Sequence, residues 1–527
     1  RGCSSPRKKS EASLAMSGTF FVTTPIYYVN AVPHIGHAYT TVAADVLARY
    51  HRLAGDTVLF ITGTDEHGQK VQEAARRRGI SPQLHCDEMV LRYRELWSAL
   101  NISNDDFIRT TSDRHKKIVR EVLAELHAGG DIYKTSYEGW YCVPDERFWT
   151  EKDLAGGRCP ECGREVQQIE ESNYFFRMSS YQQWLISYID EHRDFILPRT
   201  RRNEILGFLR QPLTDLCISR PRQRLSWGIP IPFDEEYVTY VWFDALINYV
   251  STAGYRTRDR ELFPRWENAV HLIGKDILTT HCVYWPTMLR ALGLNPPRTI
   301  FAHGWWTVEG QKMSKSLNNV VDPGSLVRDF GVDAVRFFLL REGTFGLDAD
   351  FSRAAFIHRV NGDLANDLGN LFNRTLAMTS KYFGGVIPAP STPGDSDRRL
   401  QETAVEAVKK VHAAMEEIAF HRALDAVWEL VGMTNKYIDE SAPWSLAKRA
   451  GGEEQLATVM YHVLESLRFI AVLLFPFIPA SAERMREALG IQEQPASSSL
   501  VSLRQWGAMM PGNPVTHIPQ LFPRIET

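Results

Sequence analysis

Phe20-Phe21-Val22-Thr23-Thr24, halted by Pro25 and followed within ten residues by His34-Ile35-Gly36-His37, is the stretch that decides the fold of this chain. The apolar run that begins at Thr19 has the length and the aromatic and β-branched content of a buried strand, which proline does not continue. From Gly36 to Leu53 the apolar residues recur at helical spacing, so the unit reads strand, loop, helix. A second buried strand, Thr57-Val58-Leu59-Phe60-Ile61, ends in Thr62-Gly63-Thr64-Asp65, and helical patterns then dominate from Val71 to Gly129. Buried strands alternating with helices predict a parallel α/β sheet, and this region is half of a nucleotide-binding fold.

Between Tyr133 and Gly228 the character changes to aromatic, turn-rich, cysteine-bearing sequence, with Gly156-Gly157 and Cys159-Pro160-Glu161-Cys162-Gly163 marking tight turns. The α/β pattern resumes with Tyr237 to Trp242, then Val270-His271-Leu272-Ile273-Gly274 and Thr299-Ile300-Phe301-Ala302. After Phe351 only amphipathic stretches remain: Leu364 to Tyr382, Leu400 to Phe420, Ala423 to Tyr437 and Leu456 to Leu474. The expected fold is α/β, a split Rossmann-type parallel sheet with a small connective insertion domain, followed by an α-helical bundle. Its boundaries are a disordered extension over 1–17, the first half of the catalytic domain over 18–130 and the insertion over 131–228. The second half then covers 229–355, the bundle 356–510 and a tail 511–527.

A length of 527 residues suits several packed units, and 44% apolar with 23% charged residues is the composition of a soluble globular protein. No uninterrupted apolar run is long enough to span a bilayer, so no membrane partner is expected. Net charge is −3, so any nucleic acid must be met by local patches rather than a globally basic surface. Seven scattered cysteines suit a reducing compartment, and the cytoplasm is the expected location, with an organellar matrix as the alternative. The polar leader Arg1 to Ala15 lacks a secretory core, and Met16 just before the first strand reads as a start.

Two short motifs carry chemistry. In His34-Ile35-Gly36-His37 two imidazoles three apart sit beside a glycine between strand and helix, a place where a phosphate can approach the backbone. In Lys312-Met313-Ser314-Lys315-Ser316, a loop after Gly310, two lysines are available to neutralise a triphosphate. Either alone is weak: paired histidines are often ordinary polar residues and basic loops are usually just solvated. Together, in the two halves of one split sheet, they are informative.

These two motifs resemble the signatures of class I aminoacyl-tRNA synthetases. Further segments are similar to those of the methionyl-tRNA synthetase family: Pro25-Ile26-Tyr27-Tyr28-Val29-Asn30, Gly63-Thr64-Asp65-Glu66-His67-Gly68, Ser226-Trp227-Gly228-Ile229-Pro230, Phe243-Asp244-Ala245-Leu246, Gly274-Lys275-Asp276 and His303-Gly304-Trp305-Trp306. The resemblance runs from Thr19 to the helical bundle. It implies ATP with Mg2+, L-methionine and the methionine tRNA as partners, and a two-step ligation that serves protein synthesis. His34, Gly36, His37, Gly304, Lys312 and Lys315 would meet ATP, with His34, His37, Lys312 and Lys315 as the catalytic set.

Methionine needs an apolar, polarizable pocket, and Ile26, Tyr28, Trp242, Ala245 and Tyr249 are candidates for its wall. The resemblance adds Asp65 for the ammonium group and His281 for the pocket. Trp242, Ala245 and Tyr249 are spaced to share one helical face if a helix runs through them. Core aromatics would look the same. For metal, Cys159-x-x-Cys162 has the spacing of a zinc knuckle, and Cys142-x-x-Asp145 completes a tetrahedral set where many family members have cysteine instead of the aspartate. An unmetallated hairpin is the alternative to one structural Zn2+. Asn370 and Arg374, four apart, and Trp444 after Ala442-Pro443 are by resemblance the residues that read the anticodon. Asn318 stands where the family usually has glycine.

A sister class I synthetase for an aliphatic amino acid would need a large editing insertion, and about a hundred residues hold only a small domain. A cysteine enzyme would place zinc within the catalytic halves. A non-catalytic tRNA-binding relative has no reason to keep His34, His37, Lys312 and Lys315. A monomer is expected, since nothing in the sequence argues for a dimer.

Overall fold

A computed structural model describes residues 18–142, 147–149, 151–160, 162–256, 263–313, 319–491 and 499–526. They fall into two compact units. One comprises Phe21–Ala44 and Phe60–Trp305; the other holds Asp45–Leu59 and the described residues up to Phe20 and from Trp306 onward.

The first unit is built on a seven-stranded sheet ordered Tyr27–Tyr28, Thr57–Asp65, Thr19–Thr23, Ala269–Gly274, Thr299–His303, Ile196–Leu197, with Asp106–Arg109 also paired to Thr57–Asp65. The registers Tyr28↔Asp65, Gly63↔Ile108, Val22↔Val270, Leu272↔Phe301 and Ile300↔Ile196 are all parallel. Four of the five expected strands and the helix Ile35–Ala54 are therefore present. Gly63 has a specific reason to be glycine: a Cβ there would lie 2.2 Å from the carbonyl oxygen of Ile108 on the neighbouring strand.

The stretch read as helical from Val71 to Gly129 resolves into Gln69–Arg78, Pro82–Ala99 and Asp113–Ala128, with the unanticipated strand Asp106–Arg109 between the last two. Four residues, of which only Ile108 is buried, show no period that a sequence reading can detect. The expected return of the parallel sheet at Tyr237 to Trp242 is corrected. Asp234–Thr239 pairs antiparallel with Ser219–Pro221 and Pro230–Ile231 in a separate small sheet, and a helix begins at Val241. The cysteine-bearing region forms a four-stranded sheet around the long antiparallel pair Ile132–Cys142 and Gln167–Phe176.

The second unit carries a three-stranded sheet of Trp306–Val308, Gln311–Lys312 and Ala349–Phe351. Glu309 and Gly310 turn its hairpin with φ of 49° and 74°, the doubly positive geometry of a tight two-residue turn. Helices follow: Val360–Gly369, Asn370–Phe383, Asp395–Glu416, Phe420–Ser441 and Glu453–Leu474. The last is long and apolar enough to cross a membrane, yet almost all of that stretch is buried in the bundle. Arg336, fully buried, binds Asp45 at 2.7 Å and donates to the carbonyls of Pro476 and Phe477, so its guanidinium is both paired and hydrogen-bonded.

Candidate active site

His34 and His37 stand at the start of helix Ile35–Ala54 with their rings stacked 3.9 Å apart. The Gly36 amide donates to His34 Nδ1 at 3.1 Å, and the His34 amide donates to His37 Nδ1 at 3.1 Å. Each Nδ1 is thus an acceptor, which assigns the proton of each neutral ring to Nε2. Burial holds both imidazoles below their ordinary pKa; at His37 the neighbouring His34 adds to this, while at His34 the field of Asp276 opposes it. A Cβ on Gly36 would lie 3.0 Å from the His34 ring, so glycine lets that ring fold over the helix start. The arrangement presents two uncharged N–H donors where helical amides also favour an anion.

The helix start is tied to the far half of the sheet. Thr40 Oγ1 lies 2.7 Å from His303 Nε2, and His303 Nδ1 donates to the Gly304 carbonyl at 2.7 Å. Asp276, at the end of the Gly274-Lys275-Asp276 segment, accepts from Trp305 Nε1 at 3.1 Å, and Lys275 lies 4.2 Å from the Trp305 ring. Asp276 raises the pKa of His34, His281 and His303 against the larger effect of burial, which places one carboxylate in the field of all three.

The methionine candidates assemble in parts. Tyr28 and Asp65 are register partners on adjacent strands, with Asp65 buried and Tyr28 and Ile26 half-buried. Tyr249 meets His281, hydroxyl to Nε2 at 2.8 Å, and His281 Nδ1 donates to the Ile277 carbonyl at 3.0 Å. Burial lowers His281 to about 4. The conditional single helix is corrected: Trp242 and Ala245 lie on Val241–Leu246, whereas Tyr249 lies on a separate helix, Asn248–Thr252. His271, which the sequence reading passed over, stacks on Tyr249 at 4.2 Å and bonds Thr23 Oγ1 at 2.8 Å and Trp285 Nε1 at 3.4 Å. No periodicity marks it, because its partners are far away in sequence.

Asp65 begins a segment fastened on several sides. Glu66, fully buried, takes Arg109 in a two-pronged pair at 2.7 and 2.9 Å and also the hydroxyls of Thr64 and Thr111. The Glu66 carbonyl accepts from Trp227 Nε1 at 2.6 Å, and the Gly68 amide reaches the Trp227 carbonyl. Two segments singled out by resemblance, 63–68 and 226–230, are therefore in direct contact.

Lys312 closes the strand Gln311–Lys312 instead of lying in a loop, and Lys315 is outside the described residues. Cys142, Cys159 and Cys162 bring their sulfurs within 4.8 Å of one another; Asp145 lies outside the described residues. Thiolates around tetrahedral zinc, at about 2.3 Å from the metal, sit about 3.8 Å apart, so the cluster is compatible with a structural zinc. In the second unit, Arg374 binds Asp439 at 3.1 Å and Asn435 Oδ1 at 2.8 Å, Asn370 is exposed one turn earlier, and Trp444 is 44% exposed.

The family model described as tRNA synthetases class I (M) matches residues 20–172 and 164–376, and that of the anticodon binding domain of methionyl tRNA ligase matches 387–527. Methionine–tRNA ligase of Caldanaerobacter subterraneus subsp. tengcongensis is 50% identical over 97% of this chain and 80% of its own length. That of Clostridium perfringens is 50% identical over 96% and 78%. Among solved structures, Mycobacterium tuberculosis methionyl-tRNA synthetase in complex with methionyl-adenylate superimposes with a TM-score of 0.92 at 42% identity, over 96% of this chain and 100% of that one.

Proposed function

The chain belongs to the methionyl-tRNA synthetase family of class I enzymes, and from that premise we propose which of its residues carry the reaction. It is a methionine–tRNA ligase: it activates L-methionine with ATP to methionyl-adenylate and pyrophosphate, then transfers the methionyl group to tRNA. In the first step the methionine carboxylate attacks the α-phosphorus in line; in the second, a hydroxyl of the terminal ribose attacks the adenylate carbonyl.

The observation that carries the assignment is the neutral histidine pair. His34 and His37 donate through Nε2 to phosphate oxygens as charge builds on them, and each such donor is worth about 10²–10³ in rate. Lys312 and Lys315 neutralise the triphosphate, and Mg2+, when bound, would add positive charge beside the departing pyrophosphate. Asp65 holds the methionine ammonium group, while Tyr28, Trp242, Ala245, Tyr249 and His281 enclose the side chain together with Ile26. Gly304, its carbonyl engaged by His303, lines the nucleotide site. Asn370, Arg374 and Trp444 receive the anticodon, with the indole stacking on a base.

Cys142, Cys159 and Cys162 with Asp145 hold one structural Zn2+, which would pin the hairpin of the insertion. Metal analysis of purified protein tests this: about one zinc per chain is expected, and none in active protein sinks it. The domain division drawn from the sequence, a monomeric state and a cytoplasmic location complete the proposal. The functional reading is tested by ATP–pyrophosphate exchange against a panel of amino acids, with exchange expected for methionine alone and strongly reduced by His34→Ala.

A further inference from the structure

Asp244 lies between Phe243 and Ala245 on the helix Val241–Leu246, with no exposed surface, and each of its two carboxylate oxygens takes a different imidazole. His67 Nδ1 meets Oδ2 at 2.5 Å, and His115 Nε2 meets Oδ1 at 2.7 Å. His115 Nδ1 continues to the Ser251 hydroxyl at 3.0 Å, which in turn donates to the Asn248 carbonyl. The three groups come from a loop and two helices far apart in sequence, and all are buried. Burial alone would push the Asp244 carboxyl up, but the two imidazoles overcome it and hold the group below its ordinary value, so it stays ionised.

A buried carboxylate is costly unless paired and hydrogen-bonded, so a helix of six residues that carries one is fixed wherever its partners are. The partners here sit beside the proposed amino-acid site. His67 is two residues after Asp65, and Asp244 lies two residues after Trp242 and directly before Ala245. Ser251 is two residues after Tyr249 on Asn248–Thr252. One clip therefore connects the segment bearing the ammonium anchor to both helices bearing the side-chain pocket.

We propose that the His67–Asp244–His115 clip is a positioning device that fixes the separation between the ammonium anchor and the wall of the side-chain pocket, and so sets the length of amino acid the enzyme accepts. This rests on the methionine-site assignment above. In this proposal the three residues act on the substrate only through Asp65, Trp242, Ala245 and Tyr249. A pocket whose two ends are joined rigidly discriminates one methylene by about 10–200-fold, and loosening the join erodes that ratio.

The test is ATP–pyrophosphate exchange with methionine and with ethionine, which is one methylene longer. In His67→Ala and His115→Ala the preference for methionine is expected to fall about tenfold, with KM for methionine raised about 10–100-fold and KM for ATP within about twofold of wild type. His67→Asn, whose amide nitrogen replaces Nδ1, and His115→Gln, whose amide nitrogen replaces Nε2, are expected to restore most of the preference. A merely structural role would move both KM values, or kcat alone, and leave the ratio intact; that result overturns the proposal. If the alanine variants fail to fold, Ser251→Ala decides: a fall of about threefold in the ratio is expected, and an unchanged ratio overturns it. Wild-type protein without methionine-dependent exchange overturns the functional reading, and the clip with it.

Discussion

Two groups of histidines in the first unit are held neutral by the same cause, and the proposed mechanism uses them in opposite ways. At the helix start, His34 and His37 engage backbone amides through Nδ1, and among the described residues no partner takes their Nε2. In the layer behind, His271, His281 and His303 have both nitrogens engaged, to Thr23 and Trp285, to Ile277 and Tyr249, and to Gly304 and Thr40. Burial depresses every one of the five. A depressed pKa therefore does not separate a working histidine from a scaffolding one. In the proposed mechanism the free ring nitrogen does.

The largest effect that difference predicts is at the front pair. His34→Ala and His37→Ala should each lower kcat in pyrophosphate exchange by about 10²–10³, with KM for methionine nearly unchanged. Losses below about threefold in both would break the distinction, because they would make the front pair scaffolding too. A smaller effect is expected behind. Tyr249→Phe removes the hydroxyl that satisfies His281 Nε2, and a buried acceptor left unpaired costs about 1–3 kcal/mol. That should appear as roughly a tenfold rise in KM for methionine, with KM for ATP unmoved.

The most diffuse effect is on stability. His281 falls from 6.5 to about 4 in the folded protein, so between those values the unfolded chain binds a proton that the folded chain refuses. The contribution is fully present above pH 6.5 and is lost as pH falls toward about 4, on the order of 3 kcal/mol. Urea unfolding midpoints followed across that window should decline with acidity, and His281→Asn should decline less. An equal decline in the variant would remove His281 from the account.

Much of this was legible in the residues themselves. Phe20-Phe21-Val22 and Thr57 to Asp65 are buried strands by composition, and the long amphipathic stretches after Phe351 could hardly be anything but helices. The sequence reading failed where an element is too short to show a period. Asp106–Arg109 and Ile196–Leu197 exist because a neighbouring strand pairs with them, which is tertiary information. Tyr237 to Trp242 misled because an apolar aromatic run looks the same in a parallel core strand, in an antiparallel ribbon and at the start of a buried helix. At the site, the motif histidines were visible because they are close in sequence. Asp244 with its two imidazoles was not, since its partners lie 177 and 129 residues away. His271 was hidden for the same reason: it occupies an ordinary strand position, and its bond to Thr23 spans 248 residues.

In the proposed mechanism, neutral imidazole N–H groups at the helix start drive methionine activation. This is tested most directly by ATP–pyrophosphate exchange with a panel of amino acids, on wild type and His34→Ala in parallel. Exchange with methionine alone is expected, lowered about 10²–10³ in kcat by the substitution. Exchange supported by another amino acid, or methionine exchange that survives the loss of His34 undiminished, would contradict it.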